Sequence, residues 1–319
     1  MKSLIIGGAG FVGGYLARHL LTLGHEVAIT KIPSEQTAAA GVSVYDLDIR
    51  DQDAVSEVLK NVRPDMVFHL AAQSSVAVSW KHPQLTADIN IKGILNVLDG
   101  LRRYGGNPRV LLVGSGEEYG YVLPEETPVR ETNPVRPGNI YAATKACQNM
   151  VGRIYAQAYD LDLVMVRPFN HIGPNQSPVF VAADFCKQAA EIEAGMREAV
   201  IRVGNLNVRR DFTDVRDVVR AYALLVQKGQ AGETYNIGSG HAVRIGDILR
   251  TILDQSAASI RVEVDSEKLR PADVPVMEAD ISKMQRLTGW KPQIRLEQTI
   301  EDMLGYWRKV AANGTDESN

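Results

Sequence analysis

Cysteine is scarce in this sequence: Cys147 and Cys186 are the only two in 319 residues. They stand far apart and lack metal-type spacing, so no metal site and no disulfide framework is expected, and both are expected to be buried free thiols in a reducing cytoplasm. No apolar run approaches the length of a membrane span. A surplus of one charge sign is also missing. With 35 basic and 38 acidic side chains the net charge is −3, which points to neither nucleic acid nor an anionic membrane as a partner. In the opening "MKSLIIGGAGFVGG" glycines interrupt the apolar stretch and no small-residue cleavage site follows. No export signal is expected, and the expected location is cytoplasmic. Internal repeats and low-complexity tracts are absent as well.

What remains is 45% hydrophobic and 23% charged, ordinary for a globular chain long enough for two packed lobes. "SLII", "EVAIT", "VSVYDLD", "DMVFHLAA", "RVLLVG" and "LDLVMVRP" read as short apolar strands. Helical stretches such as "FVGGYLARHLLTLG", "DAVSEVLKNV" and "ILNVLDGLRRY" separate several of them. Continuous apolar strands between helices predict an α/β fold, a doubly wound parallel sheet of the Rossmann type. From about Pro168 the rhythm changes to polar loops ("FNHIGPNQSP", "RPADVPV") and helices around short strands. The expected division is a larger domain of residues 1–167 plus about 212–240 and a smaller α/β lobe of 168–211 plus about 241–312. Residues 313–319 read as a polar tail with nothing to bury.

Gly7, Gly10 and Gly13 directly follow the first strand and open a helix. Glycine there permits a tight turn, close approach of a pyrophosphate and helix–sheet packing, so the segment predicts dinucleotide binding. A packing-only turn is the alternative. The second strand ends without a carboxylate, in Thr30 and Lys31. Lys31 suits a 2′-phosphate, so NADP(H) is the expected cofactor and NAD(H) the alternative. Asp48 and Ile49, at the end of the third strand, are candidates to bracket an adenine. "YAATK" sets Tyr141 and Lys145 four residues apart on one helix face. An ammonium beside a phenol lowers its pKa from about 10 and makes the pair a general acid/base.

These motifs, with Ser115 before "EEYG" and "RRDFTDVRD", resemble in order and spacing the extended short-chain dehydrogenase/reductases that act on nucleotide sugars. The resemblance extends to "TGWKP", over nearly the whole chain. It implies a nicotinamide cofactor in the larger domain, a nucleotide sugar in the smaller lobe and a homodimer. Position by position, it implies Tyr141 as acid/base, Lys145 as its tuner and ribose anchor, and Ser115 on the sugar's 4-oxygen. Leu70, Ala71 and Ala72 match a cofactor-lining strand end and Asn90 a supporting asparagine. Phe11, Val12 and Phe169 complete the cofactor set. Arg210 and Arg270 match arginines that grip a diphosphate, a duty their forked donors suit. Asn170 and the run Val179, Phe180, Val181 match a nucleotide-binding loop, and Lys187 joins the substrate set. His171, with no acidic neighbour in sequence, is expected to be structural. Asp273 replaces a glutamate of the pattern, which bears on base preference.

"GSGEEYG", "FNHIGPNQSPVFV" and "LRPADVP" are most similar to the branch that reduces GDP-4-keto-6-deoxy-D-mannose to GDP-D-rhamnose. GDP-mannose 4,6-dehydratases share part of the pattern. Elimination needs an extra acid/base pair after the catalytic serine. Glu117 matches its glutamate, but the other position is Gly116, which has no side chain to donate a proton. Reduction is therefore the expected activity, with Glu117 positioning the sugar. Dehydration or 4-epimerisation is the alternative, and a non-catalytic sensor the remoter one.

Overall fold

The computed structural model describes residues 1–35, 40–268 and 274–316. In chain order the elements are β1 (Lys2–Ile6), α1 (Phe11–Thr22), β2 (Glu26–Lys31), β3 (Ser43–Asp46), α2 (Gln52–Val62), β4 (Met66–His69), α3 (Val76–Lys81) and α4 (Pro83–Ala87). After a π-helical turn (Asp88–Lys92) come α5 (Gly93–Tyr104), β5 (Arg109–Val113), a 3₁₀ turn (Gly116–Tyr119), α6 (Ile140–Tyr159), β6 (Leu163–Pro168), β7 (Asn170–Ile172) and α7 (Val181–Glu193). The chain continues through β8 (Val200–Val203), β9 (Arg209–Asp214), α8 (Val215–Lys228), β10 (Thr234–Ile237), β11 (Ala242–Arg244) and α9 (Ile245–Asp254). It ends with β12 (Arg261–Val264), β13 (Val276–Met277), α10 (Ser282–Thr288) and α11 (Leu296–Asp316).

Seven strands form one sheet in the order β10-β6-β5-β4-β1-β2-β3, every pairing parallel. A parallel sheet must be covered on both faces, and two apolar clusters do this. One gathers α1 and α8 residues such as Leu16, Leu20, Val219 and Tyr222. The other gathers α2 and α5 residues such as Val55, Leu59, Val97 and Leu101 on the opposite face. The sheet is the predicted doubly wound one, and its topological reversal lies between β1 and β4, the place where such sheets bind ligands outside their strand ends.

A third cluster joins α7, α9 and α11 through Phe185, Ile248, Leu249, Ile300 and Met303. Beside it β9 pairs with β7 and β13 in parallel and with β11 antiparallel. The loop expected around "FNHIGP" thus contains strand β7, because Asn170, His171 and Ile172 find ladder partners in Phe212, Thr213 and Asp214. Helix α11 continues to Asp316, so the segment expected as a tail from residue 313 keeps helical backbone for most of its length. Cys186 is buried as expected, whereas Cys147 is only half-buried, and both are free. Among the described residues no helix is long and apolar enough to cross a membrane.

Candidate active site

The glycine turn shows different reasons for its three glycines. Gly7 has φ +83°, and a Cβ there would lie 2.7 Å from the Ala71 backbone, which follows β4. At Gly13 a Cβ would stand 2.5–2.7 Å from the Gly8 backbone. Both positions are closed by the protein itself. Gly10 is different, because its Cβ would meet nothing nearer than Gly7 O at 3.5 Å. Open space before a helix N-terminus is the cradle that a phosphate needs. Helix α1 starts there without a side-chain cap and without an acidic residue in its first turn, so its free N–H groups and partial positive charge remain available to an anion. The chain therefore fits a dinucleotide.

Other cofactor candidates carry local duties. Thr30 is buried under the turn, where Gly7 N donates to its Oγ1 at 3.0 Å, so it shapes the glycine loop. Lys31 Nζ lies 2.6 Å from Asp46 Oδ1 of β3. It is thus an ion-paired cation, not a free one. The Asp48 carboxylate is held by Arg50 through Nε at 3.0 Å and Nη2 at 2.5 Å, which pulls its pKa down. Ile49 is buried, and a Cβ at Gly93 would touch its Cδ1 at 2.5 Å, so it packs on α5. Phe11 and Val12 are half-buried, and the Phe11 ring lies parallel to the His171 imidazole at 6.3 Å. Leu70 and Ala71 both donate their N–H to Ile6 O at 2.9 Å, and with half-buried Ala72 they border the turn. Asn90 sits in the π turn, a distortion that inserts a residue into the helix. Its Nδ2 donates to Thr144 Oγ1 at 2.9 Å and Gln73 O at 3.0 Å, and its Oδ1 accepts from Gln73 N at 2.8 Å. Asn90 therefore ties the strand end after β4 to α6.

Ser115, Glu117, Tyr141 and Lys145 come together where β5 and α6 meet. Ser115 caps the 3₁₀ turn, accepting from Glu117 N at 3.1 Å. Asn139 caps α6 by accepting from Ala142 N at 2.8 Å, and its Nδ2 donates to Glu117 Oε2 at 3.2 Å. One asparagine thus starts the helix that bears Tyr141 and orients the carboxylate beside it. Tyr141 is 8% exposed and Lys145 3%. Burial raises the Tyr141 pKa, the interaction with the Ser115 side chain opposes the rise, and the charges of Glu117 and Glu118 add to it. Burial also pulls Lys145 down to about 8, with Glu118 opposing. The Lys145 ammonium donates to Val113 O at 2.7 Å and Gln148 Oε1 at 3.0 Å, and burial decides the phenol's affinity for its proton. Neighbouring His69, fully buried, is pulled down to about 3, chiefly by burial and then by Lys145. Its Nδ1 has no hydrogen-bond partner.

Phe169, expected in the cofactor set, is buried, and a Cβ at Gly116 would approach its ring to 3.1 Å. Asn170 Nδ2 donates to Asp211 O at 3.3 Å. Val179, Phe180 and Val181 are exposed ahead of and at the start of α7, Val179 at 64%. Lys187 is turned to Glu191 at 2.9 Å, one helical turn on. Arg210 Nη1 donates to Arg209 O at 2.9 Å and Val274 O at 2.7 Å, which places it beside the entry to residues 269–273. Arg270 and Asp273 lie outside the described residues. Among those described, no three His, Cys, Asp or Glu side chains come together as a metal site. Asn139 was not singled out by sequence reasoning, and the buried contacts of Glu118 were not foreseen. Asparagine directly before a helix is an N-cap signal and marks Asn139, whereas the partners of Glu118 are distant in sequence and leave no local trace.

A parallel sheet with a glycine turn at its reversal, and a serine, tyrosine and lysine gathered beside it, define an NAD(P)-dependent oxidoreductase of the extended short-chain type. The family model described as GDP-mannose 4,6 dehydratase matches residues 4–303, and the chain belongs to that family. It is 30% identical over 306 residues to the GDP-6-deoxy-D-mannose reductase of Pseudomonas aeruginosa, covering 96% of this chain and 97% of that one. It is 28% identical over 352 residues to the GDP-mannose 4,6-dehydratase of Vibrio cholerae, covering 97% and 94%. The solved structure of RMD from Pseudomonas aeruginosa complexed with NADPH superposes with a TM-score of 0.86 at 30% identity, covering 97% of this chain and 100% of that one. The UDP-glucose 4-epimerase of Thermus thermophilus, solved in complex with NAD, gives 0.87 at 29% identity, covering 97% and 99%.

Proposed function

We propose that this chain reduces the 4-keto group of GDP-4-keto-6-deoxy-D-mannose to give GDP-D-rhamnose, with NADPH preferred to NADH. The observation that carries the choice is Gly116. Next to Glu117, where elimination needs a second acid/base, there is no side chain, and the Phe169 ring stands 3.1 Å from where a Cβ would go. Glu117 alone lacks a partner for moving water out of a sugar. The likeness to a GDP-6-deoxy-D-mannose reductase supports the same reading. The preference for NADPH rests on the missing carboxylate at the end of β2, on Lys31 there, and on the NADPH-bound neighbour.

When bound, the nicotinamide supplies the hydride. Ser115 and Tyr141 donate hydrogen bonds to the ketone oxygen and stabilise the charge that develops on it. Tyr141 then gives up its proton. Lys145, held by Val113 O and Gln148, keeps a positive charge in the buried site and replaces none of these donors. Glu117, fixed by Asn139, orients the sugar. Asn170, Val179 to Val181, Lys187 and Arg210, with Arg270 and Asp273, hold the nucleotide end in the lobe of residues 168–211 and 241–312. Residues 1–167 with 212–240 hold the dinucleotide, and the working form is a cytoplasmic homodimer.

The family match and Glu117 beside Tyr141 favour one second reading, GDP-mannose 4,6-dehydration. Two substrates separate them. GDP-4-keto-6-deoxymannose with NADPH should consume cofactor absorbance and give a product two hydrogens heavier. GDP-mannose without added cofactor should stay unchanged, and a product lighter by one water would overturn the reductase reading. Tyr141→Phe should lower kcat by roughly 10²- to 10⁴-fold, the usual range for a lost acid/base, with substrate binding retained.

A further inference from the structure

We propose that Glu118 is a positioning residue: its sealed carboxylate locks the Ser115 backbone to the helix that carries Tyr141 and Lys145. The proposal rests on the roles given above to those three residues. Glu118 is 0% exposed, and moving a lone carboxylate out of water is strongly unfavourable unless its oxygens find donors. Here they do. Oε1 accepts from Ser115 N at 2.9 Å and from Asn149 Nδ2 at 2.6 Å. Oε2 accepts from Asn149 Nδ2 at 2.8 Å and Arg167 Nε at 2.8 Å.

These partners come from three elements. Ser115 opens the 3₁₀ turn, Asn149 lies on α6 and Arg167 on β6. On α6, Tyr141, Lys145 and Asn149 are spaced four residues apart, so they share a helix face. The contact to Asn149 therefore sets the height of the serine turn against the face that carries the tyrosine and lysine. The chain is shaped around this link. A Cβ at Gly114 would collide with Glu118 Oε1 and lie 2.5 Å from Asn149 Nδ2, so glycine there leaves room for the carboxylate. Arg167 is itself braced: its guanidinium lies 4.7 Å over the Tyr119 ring, and its Nη1 donates to Tyr119 OH at 3.1 Å. Tyr119 OH in turn donates to Asn236 Oδ1 at 2.7 Å.

A merely structural ion pair would be replaceable by well-packed apolar side chains of similar volume. No apolar side chain can accept the Ser115 N–H, which would be left buried without a partner. Stability and positioning are thus separable in the double variant Glu118→Leu/Arg167→Met, which removes both charges together. The expected result is a folded protein with a melting midpoint lowered by the cost of one unpartnered buried donor, unchanged affinity for NADPH by fluorescence titration, KM within about twofold, and kcat reduced at least tenfold. Glu118→Gln keeps an acceptor for Ser115 N–H, and its kcat, measured below its own melting midpoint, should exceed that of the double variant by several-fold. A folded double variant with kcat within twofold of wild type would overturn the proposal. So would Glu118→Gln falling as low as the double variant. Tyr141→Phe is assayed alongside. If it turns over normally, the reading of the site has failed; if it is inactive while the double variant is not, positioning by Glu118 alone has failed.

Discussion

Gly10→Ala separates a glycine kept for packing from one kept for a ligand. The added methyl would meet Gly7 O at 3.5 Å and nothing closer, an ordinary contact. Gly10 has φ −69° and ψ 172°, which alanine adopts without strain. Alanine is a poorer N-cap than glycine by roughly 0.5–1 kcal/mol, while the stiffer unfolded chain returns about 0.4–1 kcal/mol. Stability should therefore stay within about 1 kcal/mol of wild type. Binding is another matter, because the methyl would stand in the space through which a phosphate reaches the N–H groups of α1. One lost hydrogen bond to a charged group is worth about 1.5–3 kcal/mol, or roughly ten- to a hundred-fold in Kd at about 1.4 kcal/mol per tenfold. The assay is NADPH fluorescence titration next to a thermal melt, with Gly14→Ala as control. A Cβ on Gly14 meets nothing within 4 Å inside α1, so that variant should gain about 0.5–1 kcal/mol of stability and bind NADPH normally. If Gly10→Ala binds NADPH as tightly as wild type, the phosphate site has been misplaced.

Three more outcomes follow from the site. Lys145, drawn down to about 8 by burial, loses its charge as pH rises through that value, so kcat should fall along an alkaline limb near 8. Lys145→Arg, charged throughout, should move that limb up by more than one pH unit, and an unmoved limb assigns it to another group. Lys31→Ala should weaken NADPH by roughly tenfold, the worth of about 1.4 kcal/mol, and leave NADH unchanged. Equal losses would remove Lys31 from the 2′-phosphate. Gly116→Asp must displace the Phe169 ring, and overpacking of this kind typically costs about 1–3 kcal/mol. Its melting midpoint should fall and GDP-mannose should remain intact, whereas a dehydrated product would show that Phe169 does not bar elimination.

The parallel sheet was legible because its signals are local. β1, β4, β5 and β6 are apolar on both faces, and the glycine turn follows β1 directly. Position along the chain also placed Ser115, Tyr141 and Lys145 together. What sequence could not carry was the direction in which polar side chains turn. Lys31 and Asp48 are ligand candidates whose ion pairs with Asp46 and Arg50 come from the neighbouring strand and from two residues along. The Val113 carbonyl accepts from the Lys145 ammonium, and carbonyl directions are invisible in a sequence. Strand β7 was hidden for the same kind of reason, since its three residues are extended by the ladder of β9 and not by their own propensity. Nothing local in "GSGEEYG" tells buried Glu118 from part-exposed Glu117. The burial of Glu118 depends on Asn149 and Arg167, which lie 31 and 49 residues away.

Burial decides which protons the site holds at rest, and the proposed reduction makes use of them. Reduction of a ketone consumes a proton at the new hydroxyl, so the resting site must present an acid. Oxidation at the same carbon, the first step of an epimerase or a dehydratase, must begin by removing one, so that site must present a base. In this chain burial and the nearby charges of Glu117 and Glu118 all raise the Tyr141 pKa. The phenol therefore holds its proton across the neutral range. Lys145 gives its hydrogen bonds to a backbone carbonyl and to Gln148 and carries its charge below about pH 8. The raised phenol pKa favours a neutral tyrosine with its proton ready for a developing alkoxide. A base at this position would call for a lowered phenol pKa, as an ammonium against the phenol oxygen would give. Glu117 beside Tyr141 adds instead to the rise and helps to keep the proton in place until hydride arrives.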